Sequence, residues 1–252
     1  MKKIIAVMTA LMLTASMAAC GSEKSNNDAA SGSKSESSAP SSDGTVYEVG
    51  ICQLVQHDAL DAATQGFKDA LVEKLGEDGV KFDEQNASGD SATCATIINQ
   101  FVSSDVDLIL ANATASLQAA AAGTDTIPIL GTSVTDYATA LEIDNWTGLT
   151  GKNISGTSDL APLSEQAAML HELFPDAKNV GLLYCSAEAN SAYQAETIQK
   201  SLEEFGYTCK TYTFADSNDI ASVATSAAAD SDVIYVPVSY THLRAHETEA
   251  DL

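Results

Sequence analysis

The chain is poor in positive charge. Its 252 residues include 12 Lys and Arg against 35 Asp and Glu, which gives a formal net charge of −23, and Arg244 is the only arginine. The phosphates of a nucleic acid and an anionic membrane surface would both repel such a protein. We therefore predict no nucleic-acid partner and no membrane contact through a basic surface.

Motifs for catalysis and for cofactors are also missing. The sequence contains no CxxC, HExxH, GxSxG or P-loop pattern, and no GxGxxG follows its first predicted strand. These absences argue against a zinc site, a serine hydrolase, a dinucleotide enzyme and an NTPase. We predict no catalytic residue, no metal and no cofactor. The competing enzyme interpretation pairs Cys52 as nucleophile with His57 as base and Asp136 as orienting group.

Cysteine is scarce, with five residues in all. Apart from Cys20 they are Cys52, Cys94, Cys185 and Cys209, an even number that would permit disulfides in an oxidising compartment. Cys185 is predicted to end one strand and Cys209 to begin the next parallel strand. They would then lie at opposite edges of a sheet, beyond the roughly 7 Å limit on the Cα separation of a disulfide. We predict four scattered thiols, most of them buried.

The apolar run at the N-terminus is shorter than the roughly 18 residues that a membrane-spanning helix needs. The segment reads MKKIIAVMTALMLTASMAAC, with two lysines, an apolar stretch and small residues before Cys20. This order is typical of a bacterial lipoprotein signal. We predict a signal peptide at 1–20 with lipidation of Cys20, which places the protein outside the cytoplasm, anchored to the cell membrane. Residues 21–44 are almost entirely polar and are predicted to form a flexible tether.

From Thr45 onward, short β-rich runs alternate with segments of helical spacing, which predicts parallel sheets covered by helices. Strands are predicted at 46–51, 80–83, 106–111, 127–130, 179–184, 208–214 and 232–237, and helices at 58–75, 91–102, 116–122, 162–173, 189–205 and 217–228. One further short strand is expected within 137–156. The predicted fold class is α/β with two doubly wound lobes, an N-terminal one at 45–156 and an incomplete C-terminal one at 157–238.

Residue usage changes after Pro237. The last segment, VSYTHLRAHETEADL, holds the single arginine and two of the four histidines. It resembles translated sequencing-adapter read-through. We predict that residues 239–252 are a non-native tail and that the native protein continues further, and the alternative is an ordinary polar C-terminus.

Several long segments of the chain occur together in one known family. They read VGICQLVQHDALDAATQGFKDAL, FDEQNASGD, DLILANATASLQAA, IPILGTSVTDYATA, NISGTSDL, LFPDAKNVGLLYCSAEANSAYQAE and DVIYVPV. Over about residues 45–238 the sequence resembles the tryptophan/tyrosine-type substrate-binding lipoproteins of ABC importers, which have the type 1 periplasmic binding protein fold. The resemblance implies two lobes that clamp a small molecule and a loaded form that docks on an ABC permease.

In open parallel sheets, ligands bind beyond the carboxyl ends of the strands, where helix N-termini offer free N–H groups. An amino acid bound there needs hydroxyl and N–H groups for its carboxylate and an anion for its ammonium. The candidate ligand-binding residues are Gln53, His57, Thr114, Ser116, Thr135, Asp136, Ser158, Asp159, Glu188, Asn190 and Ser191. Of these, Asp136, Asp159 and Glu188 are the candidate partners of an ammonium group.

Eight of these candidates have a purely structural alternative. The hydroxyl and amide residues that begin helices, Thr114, Ser116, Asn190 and Ser191, are also typical helix caps. The two aspartates could close Asx-turns, His57 could cap the first helix, and Glu188 could be a solvated first-turn carboxylate. We predict a solute-binding protein that closes about a hinge on an amino acid such as tryptophan or tyrosine. The alternatives are a ligand-sensing lipoprotein for a receptor and a secreted enzyme.

Overall fold

The structure, a computed structural model, describes residues 44–215 and 218–239. The predicted signal peptide with Cys20, nearly all of the predicted tether and the predicted tail beyond residue 239 lie outside these ranges. Within them, no helix is both long enough and apolar enough to cross a membrane.

A five-stranded parallel sheet forms the first half of the described chain. Its strands are β1 (Tyr47–Gln53), β2 (Val80–Asn86), β3 (Leu108–Asn112), β4 (Ile129–Val134) and β5 (Ile154–Ser158), in the spatial order β2-β1-β3-β4-β5. The helices are α1 (Asp58–Leu75), α2 (Ser91–Ser103), α3 (Thr114–Gly123) and α4 (Tyr137–Ala140), and a short 3₁₀ turn spans Glu77–Gly79.

Helices cover both faces of this sheet because its strands are apolar on both sides. On one face, Ile98 and Phe101 of α2 are fully buried together with Leu117 of α3. The Phe101 ring packs directly on β1 at Gly50, where an added Cβ atom would lie 2.6 Å from the ring. On the other face, Ile51 and its neighbours pack against α1. This two-sided burial is typical of a parallel α/β sheet.

A three-stranded parallel sheet forms the second half. It contains β6 (Asn179–Cys185), β7 (Thr208–Phe214) and β8 (Val233–Tyr235) in the order β7-β6-β8, with α5 (Leu163–Leu173), α6 (Ala189–Glu204) and α7 (Ile220–Asp230). Residues of α5 and α6 share one core cluster, and α7 joins a second cluster on the opposite face. The predicted α/β class with two parallel sheets is confirmed.

The predicted elements agree with the structure best where hydrophobic spacing is regular. The helix at 58–75 and the strand at 208–214 have the predicted bounds. The strand predicted at 127–130 is β4, which begins at Ile129 and continues to Val134. Its extension has the sequence GTSV, which is weakly apolar. It becomes strand because β3 pairs with Gly131 and Thr132 and β5 pairs with Gly131 and Val134. The segment 137–156, predicted to hold one short strand, contains α4 and the first three residues of β5, which continues to Ser158.

All four described cysteines are free thiols. Cys185 pairs with Phe214 and Cys209 pairs with Val180 across β6 and β7, so they lie toward opposite ends of the pair as predicted. The prediction of scattered thiols is wrong for Cys52 and Cys94. Both sulfur atoms lie 3.6 Å from the Ser116 hydroxyl oxygen, because α2 and α3 pack side by side behind β1.

Candidate functional site

In each sheet, one strand has later strands of the chain on both of its sides, so the connections to them run in opposite directions. β1 lies between β2 and β3, and β6 lies between β7 and β8. Connections that leave a strand in opposite directions open a crevice at its carboxyl end, where α/β proteins bind ligands. The pocket at this place is lined by Leu54, Gly89, Ser91, Ala113, Thr114, Ala115, Gln118, Ser133, Thr135, Ala187, Glu188, Ala189 and Asn190. It therefore combines loops that follow β1, β2, β3, β4 and β6.

The N-terminus of α3 forms one wall of the pocket. Its N-cap is Ala113, whose methyl group offers no acceptor to the first-turn N–H groups, whereas the N-cap Asp90 of α2 accepts from both Ala92 N and Thr93 N. Ala113 has φ 89° and ψ 161°, a combination almost restricted to glycine. Backbone strain of this kind concentrates at functional sites. The wall thus presents N–H groups at the positive end of a helix dipole.

Glu188 lines the pocket from the second lobe, at the N-terminus of α6. Its carboxylate makes no capping bond to the helix. Instead the Ser191 hydroxyl donates to Oε2 at 2.7 Å and the Ser239 hydroxyl donates to Oε1 at 3.0 Å. Because Ser191 is fully buried, it fixes the direction of a carboxylate that itself lines the pocket.

The end of β4 contributes the third side. The pairing of β4 with β5 shifts register between Gly131 and Val134, and Ser133 has a φ of 56°. This irregularity carries Ser133 and Thr135 to the pocket. The Ser158 hydroxyl donates to the Thr135 carbonyl oxygen at 2.7 Å and so holds the β4 loop against the end of β5.

The lining has a distinct chemical character. Among the described residues that line the pocket, Glu188 is the single charged side chain, and aromatic and basic side chains are absent. The remaining polar groups are hydroxyls, amides and backbone N–H groups. Such a surface suits a small ligand with one carboxylate and one ammonium group, because it offers donors on one side and an anion on the other.

Four of the predicted ligand-binding residues line this pocket together: Thr114, Thr135, Glu188 and Asn190. Three others are buried and do not line it. Ser116 contacts Cys52 and Cys94, Ser191 supports Glu188, and Gln53 accepts from Thr64 and donates to Asp61. Direct ligand contact by these three stays a prediction, and the structure gives each of them a partner within the protein.

The remaining four predicted residues lie at helix ends or in the crossover. His57 Nδ1 accepts from Ala59 N at the start of α1, and Asp136 accepts from Thr139 N at the start of α4. Ser158 ends β5, and Asp159 N donates to the Val134 carbonyl oxygen. The capping alternative is confirmed for His57, and Asp136 caps α4 in the same way. Ligand contact by all four residues stays a prediction.

Several lining residues were not among the sequence candidates. Leu54, Gly89 and Ser91 follow β1 and β2, and Gln118 lies one turn into α3. A strand end followed by a helix could have indicated the first three. Ala113, Ala115, Ala187 and Ala189 carry no polar side chain, so residue type alone gives no indication of their role.

Tyr137 contacts β5 next to the β4 side of the pocket. Its hydroxyl donates to the Thr157 carbonyl oxygen at 3.2 Å. Burial, together with the nearby Asp159 carboxylate, raises the pKa of Tyr137 to about 12, so the phenol stays neutral. The buried ring therefore holds the end of β5 in place without introducing a charge.

Comparisons with known proteins identify the family of this chain. Residues 48–249 match the family described as ABC transporter substrate binding protein, and the match includes part of the segment predicted to be a tail. A tyrosine-binding protein from Clostridioides difficile is 34% identical over 238 residues, which cover 94% of this chain and 67% of that protein.

Solved structures show the same similarity. An ABC domain from Streptococcus pneumoniae in complex with L-Trp has a TM-score of 0.73 at 33% identity, covering 78% of this chain and 67% of that one. A ligand-free, open substrate-binding protein with adhesive properties from Clostridium difficile has a TM-score of 0.55 at 36% identity, covering 77% and 66%. The chain thus spans about two thirds of the length of these relatives. It belongs to the family of ABC transporter substrate-binding proteins.

Proposed function

We propose that this protein captures an aromatic α-amino acid, tyrosine or tryptophan, between its two lobes and presents it to an ABC permease without chemical change. The observation that carries the proposal is the pairing, across one pocket, of the uncapped N-terminus of α3 with the Glu188 carboxylate. The first group binds a carboxylate and the second binds an ammonium, which together describe the backbone end of an amino acid.

The relatives support the choice of an aromatic amino acid. One relative is named a tyrosine-binding protein, and one structural neighbour holds L-Trp. The described lining offers partners for the charged end of such a ligand, and most of its other side chains are small. Affinity would come from a paired ammonium and carboxylate that are shielded from water.

Hinge closure is the mechanism that best accounts for the comparison of structures. At nearly equal sequence identity, the TM-score is 0.73 with the L-Trp complex and 0.55 with the ligand-free open structure. This difference is expected if the lobes of the present chain lie in the closed arrangement. A ligand that touches both walls favours that arrangement, because it gains contacts only when the lobes close.

The enzyme alternative receives no support from the contacts of Cys52 and His57. The Cys52 thiol donates to Ser116 and is fully buried, and His57 Nδ1 accepts from a backbone N–H. The nearby Cys94 thiol and burial raise the pKa of Cys52, which disfavours the nucleophilic thiolate. We therefore propose binding without covalent chemistry.

The location follows from the N-terminal sequence and from the family. We propose that Cys20 is lipidated and holds the protein on the outer side of the cell membrane. Replacement of Cys20 by alanine should release the protein into the medium or periplasm, as measured by cell fractionation. Continued membrane association of that variant would contradict the anchor.

The binding experiment uses calorimetry with L-Tyr, L-Trp and two analogues of tyrosine, namely tyramine, which lacks the carboxylate, and the deaminated acid. Wild-type protein should bind the amino acids and reject both analogues. Glu188→Gln should weaken amino-acid binding roughly 10- to 100-fold, because a charge-assisted hydrogen bond is lost. In the same variant, the difference in affinity between L-Tyr and the deaminated acid should also be smaller. The ammonium group of L-Tyr then has no carboxylate to pair with, so the acid loses less by lacking it.

The matched control is Glu73→Gln, which removes a carboxylate exposed on α1 away from the pocket. It should leave all affinities unchanged. Equal affinities of wild-type and Glu188→Gln protein for L-Tyr would contradict the role of Glu188. Binding of neither amino acid by wild-type protein would contradict the proposed ligand class.

A further inference from the structure

A buried thiol pair lies directly behind the pocket. Cys52 is the penultimate residue of β1 and Cys94 is the fourth residue of α2, and neither is exposed to solvent. Each sulfur atom lies 3.6 Å from the Ser116 hydroxyl oxygen, so the two sulfur atoms are separated by at most twice that distance. The cluster joins β1, α2 and α3 at one point.

Each member of the cluster is close in sequence to a pocket residue. Leu54 follows Cys52 by two positions, Ser91 precedes Cys94 by three, and Ala115 adjoins Ser116. A change in the contacts of the cluster would therefore shift the pocket residues that β1, α2 and α3 carry. The binding function proposed above does not use either thiol.

The two thiols are also chemically unequal. The nearby Cys52 thiol lowers the pKa of Cys94, against the opposing effect of burial, and the nearby Cys94 raises the pKa of Cys52. Removal of one proton from the pair thus leaves a thiolate on Cys94 that Cys52 and Ser116 stabilise. A thiolate beside a thiol is the starting point for disulfide exchange.

We propose that Cys52 and Cys94 close to a disulfide as the chain folds outside the cytoplasm and that this bond braces the wall of the ligand pocket. The oxidant is a low-molecular-weight or protein disulfide. One cysteine thiolate attacks it to give a mixed disulfide and releases one reduced thiol. The second cysteine, as thiolate, then displaces the other. The cysteines lose two electrons and two protons in total, and the oxidant is reduced to two thiols.

The attack on the oxidant must precede complete burial, because the folded cluster admits no reagent. The second step, in which the Cys94 thiolate displaces the mixed disulfide on Cys52, takes place as β1, α2 and α3 pack together. The experiment therefore refolds the reduced, unfolded full-length chain in oxidised glutathione, blocks the remaining thiols and digests the product without reduction. We expect a cross-linked peptide pair containing residues 52 and 94, lighter than the reduced pair by two hydrogen atoms and separated by dithiothreitol. The oxidised protein should also melt on the order of 5 °C higher than the reduced protein.

Three serine variants serve as controls. Cys52→Ser and Cys94→Ser should each lose the cross-link and the rise in Tm, whereas Cys185→Ser should keep both. Full alkylation of Cys52 and Cys94 in the refolded protein, stable glutathione adducts without the cross-link, or a link between Cys185 and Cys209 instead would each overturn the proposal. The readouts involve no ligand, so their failure is separate from failure of the binding function.

Discussion

At the scale of single residues, Ala113 has a strained backbone conformation at the edge of the pocket. Its φ of 89° and ψ of 161° disfavour any residue with a Cβ atom, yet the position is an alanine at the N-terminus of α3. The Ala113 N–H donates to the Thr132 carbonyl oxygen at 2.9 Å, which holds the strained geometry in place. The strain leaves the first-turn N–H groups of α3 directed at the pocket.

We predict that Ala113→Gly raises the free energy of unfolding by about 1 kcal/mol, because glycine relieves strain at φ > 0. Urea denaturation measures the change. The control is Ala115→Gly in the same helix, which should lower stability by roughly 0.5–1 kcal/mol because glycine is a poor helix former. Equal losses in the two variants would show that Ala113 is not strained.

Two tyrosines make stability depend on alkaline pH. Burial raises the pKa of Tyr235 to about 12, and burial together with Asp159 does the same for Tyr137. Since the folded values exceed the ordinary value of 10.0, the neutral phenols stabilise the fold below about pH 10, and this stabilisation is lost as the pH rises toward 12.

Denaturation at a series of pH values should therefore show a steep loss of stability between about pH 10 and 12. Tyr137→Phe should reduce that slope, because phenylalanine does not ionise. Asp159→Asn should lower the pKa of Tyr137, as followed by phenolate absorbance. An unchanged slope in Tyr137→Phe would contradict the assignment of this residue.

At the scale of elements, the junction of β4 and β5 depends on close packing. A Cβ atom at Gly156 would meet the Tyr137 hydroxyl and the backbone of Gly131. By contrast, a Cβ at Gly66, exposed in the middle of α1, would meet nothing within 4 Å. A side chain at position 156 should therefore destabilise the fold, whereas one at position 66 should be tolerated.

We predict that Gly156→Ala lowers the free energy of unfolding by about 2–3 kcal/mol through overpacking, and that it weakens ligand binding by moving Thr135. Gly66→Ala should raise stability by up to about 1 kcal/mol and leave binding unchanged. Thermal unfolding and calorimetry with L-Tyr measure both effects. An unchanged free energy of unfolding in Gly156→Ala would show that the β4–β5 junction can move to accommodate the added methyl group.

Element prediction succeeded where local pattern and tertiary environment agree. The apolar spacing of α1 and the alternating residues of β7 are visible in the sequence, and both elements have the predicted bounds. The weakly apolar end of β4 is different, because its strand conformation depends on hydrogen bonds from β3 and β5. Those partners are distant in sequence, so local propensity does not reveal them.

At the scale of the whole molecule, the net charge of −23 sets the response to salt. The described residues include the ion pairs Lys68 with Glu84 and Lys210 with Asp230, and the whole chain has 35 acidic residues for 12 basic ones. Repulsion between carboxylates opposes the compact state and is screened by salt.

We predict that Tm rises by roughly 2–5 °C when NaCl is increased from about 10 mM to about 300 mM. A non-electrolyte at equal osmolality serves as the control and should produce a smaller change. A fall in Tm with added NaCl would indicate that the ion pairs outweigh the repulsion.

The sequence by itself determined the α/β class, the series of strands and helices and the family, because these depend on local periodicity and on long ordered segments. Only the tertiary structure decided which polar residues meet. Thr114 reaches the pocket while Ser116, two positions later, is buried against Cys52 and Cys94. Both residues carry a hydroxyl group. The packing of α3 on β1 and α2 determines which of the two side chains lines the pocket and which lies in the core.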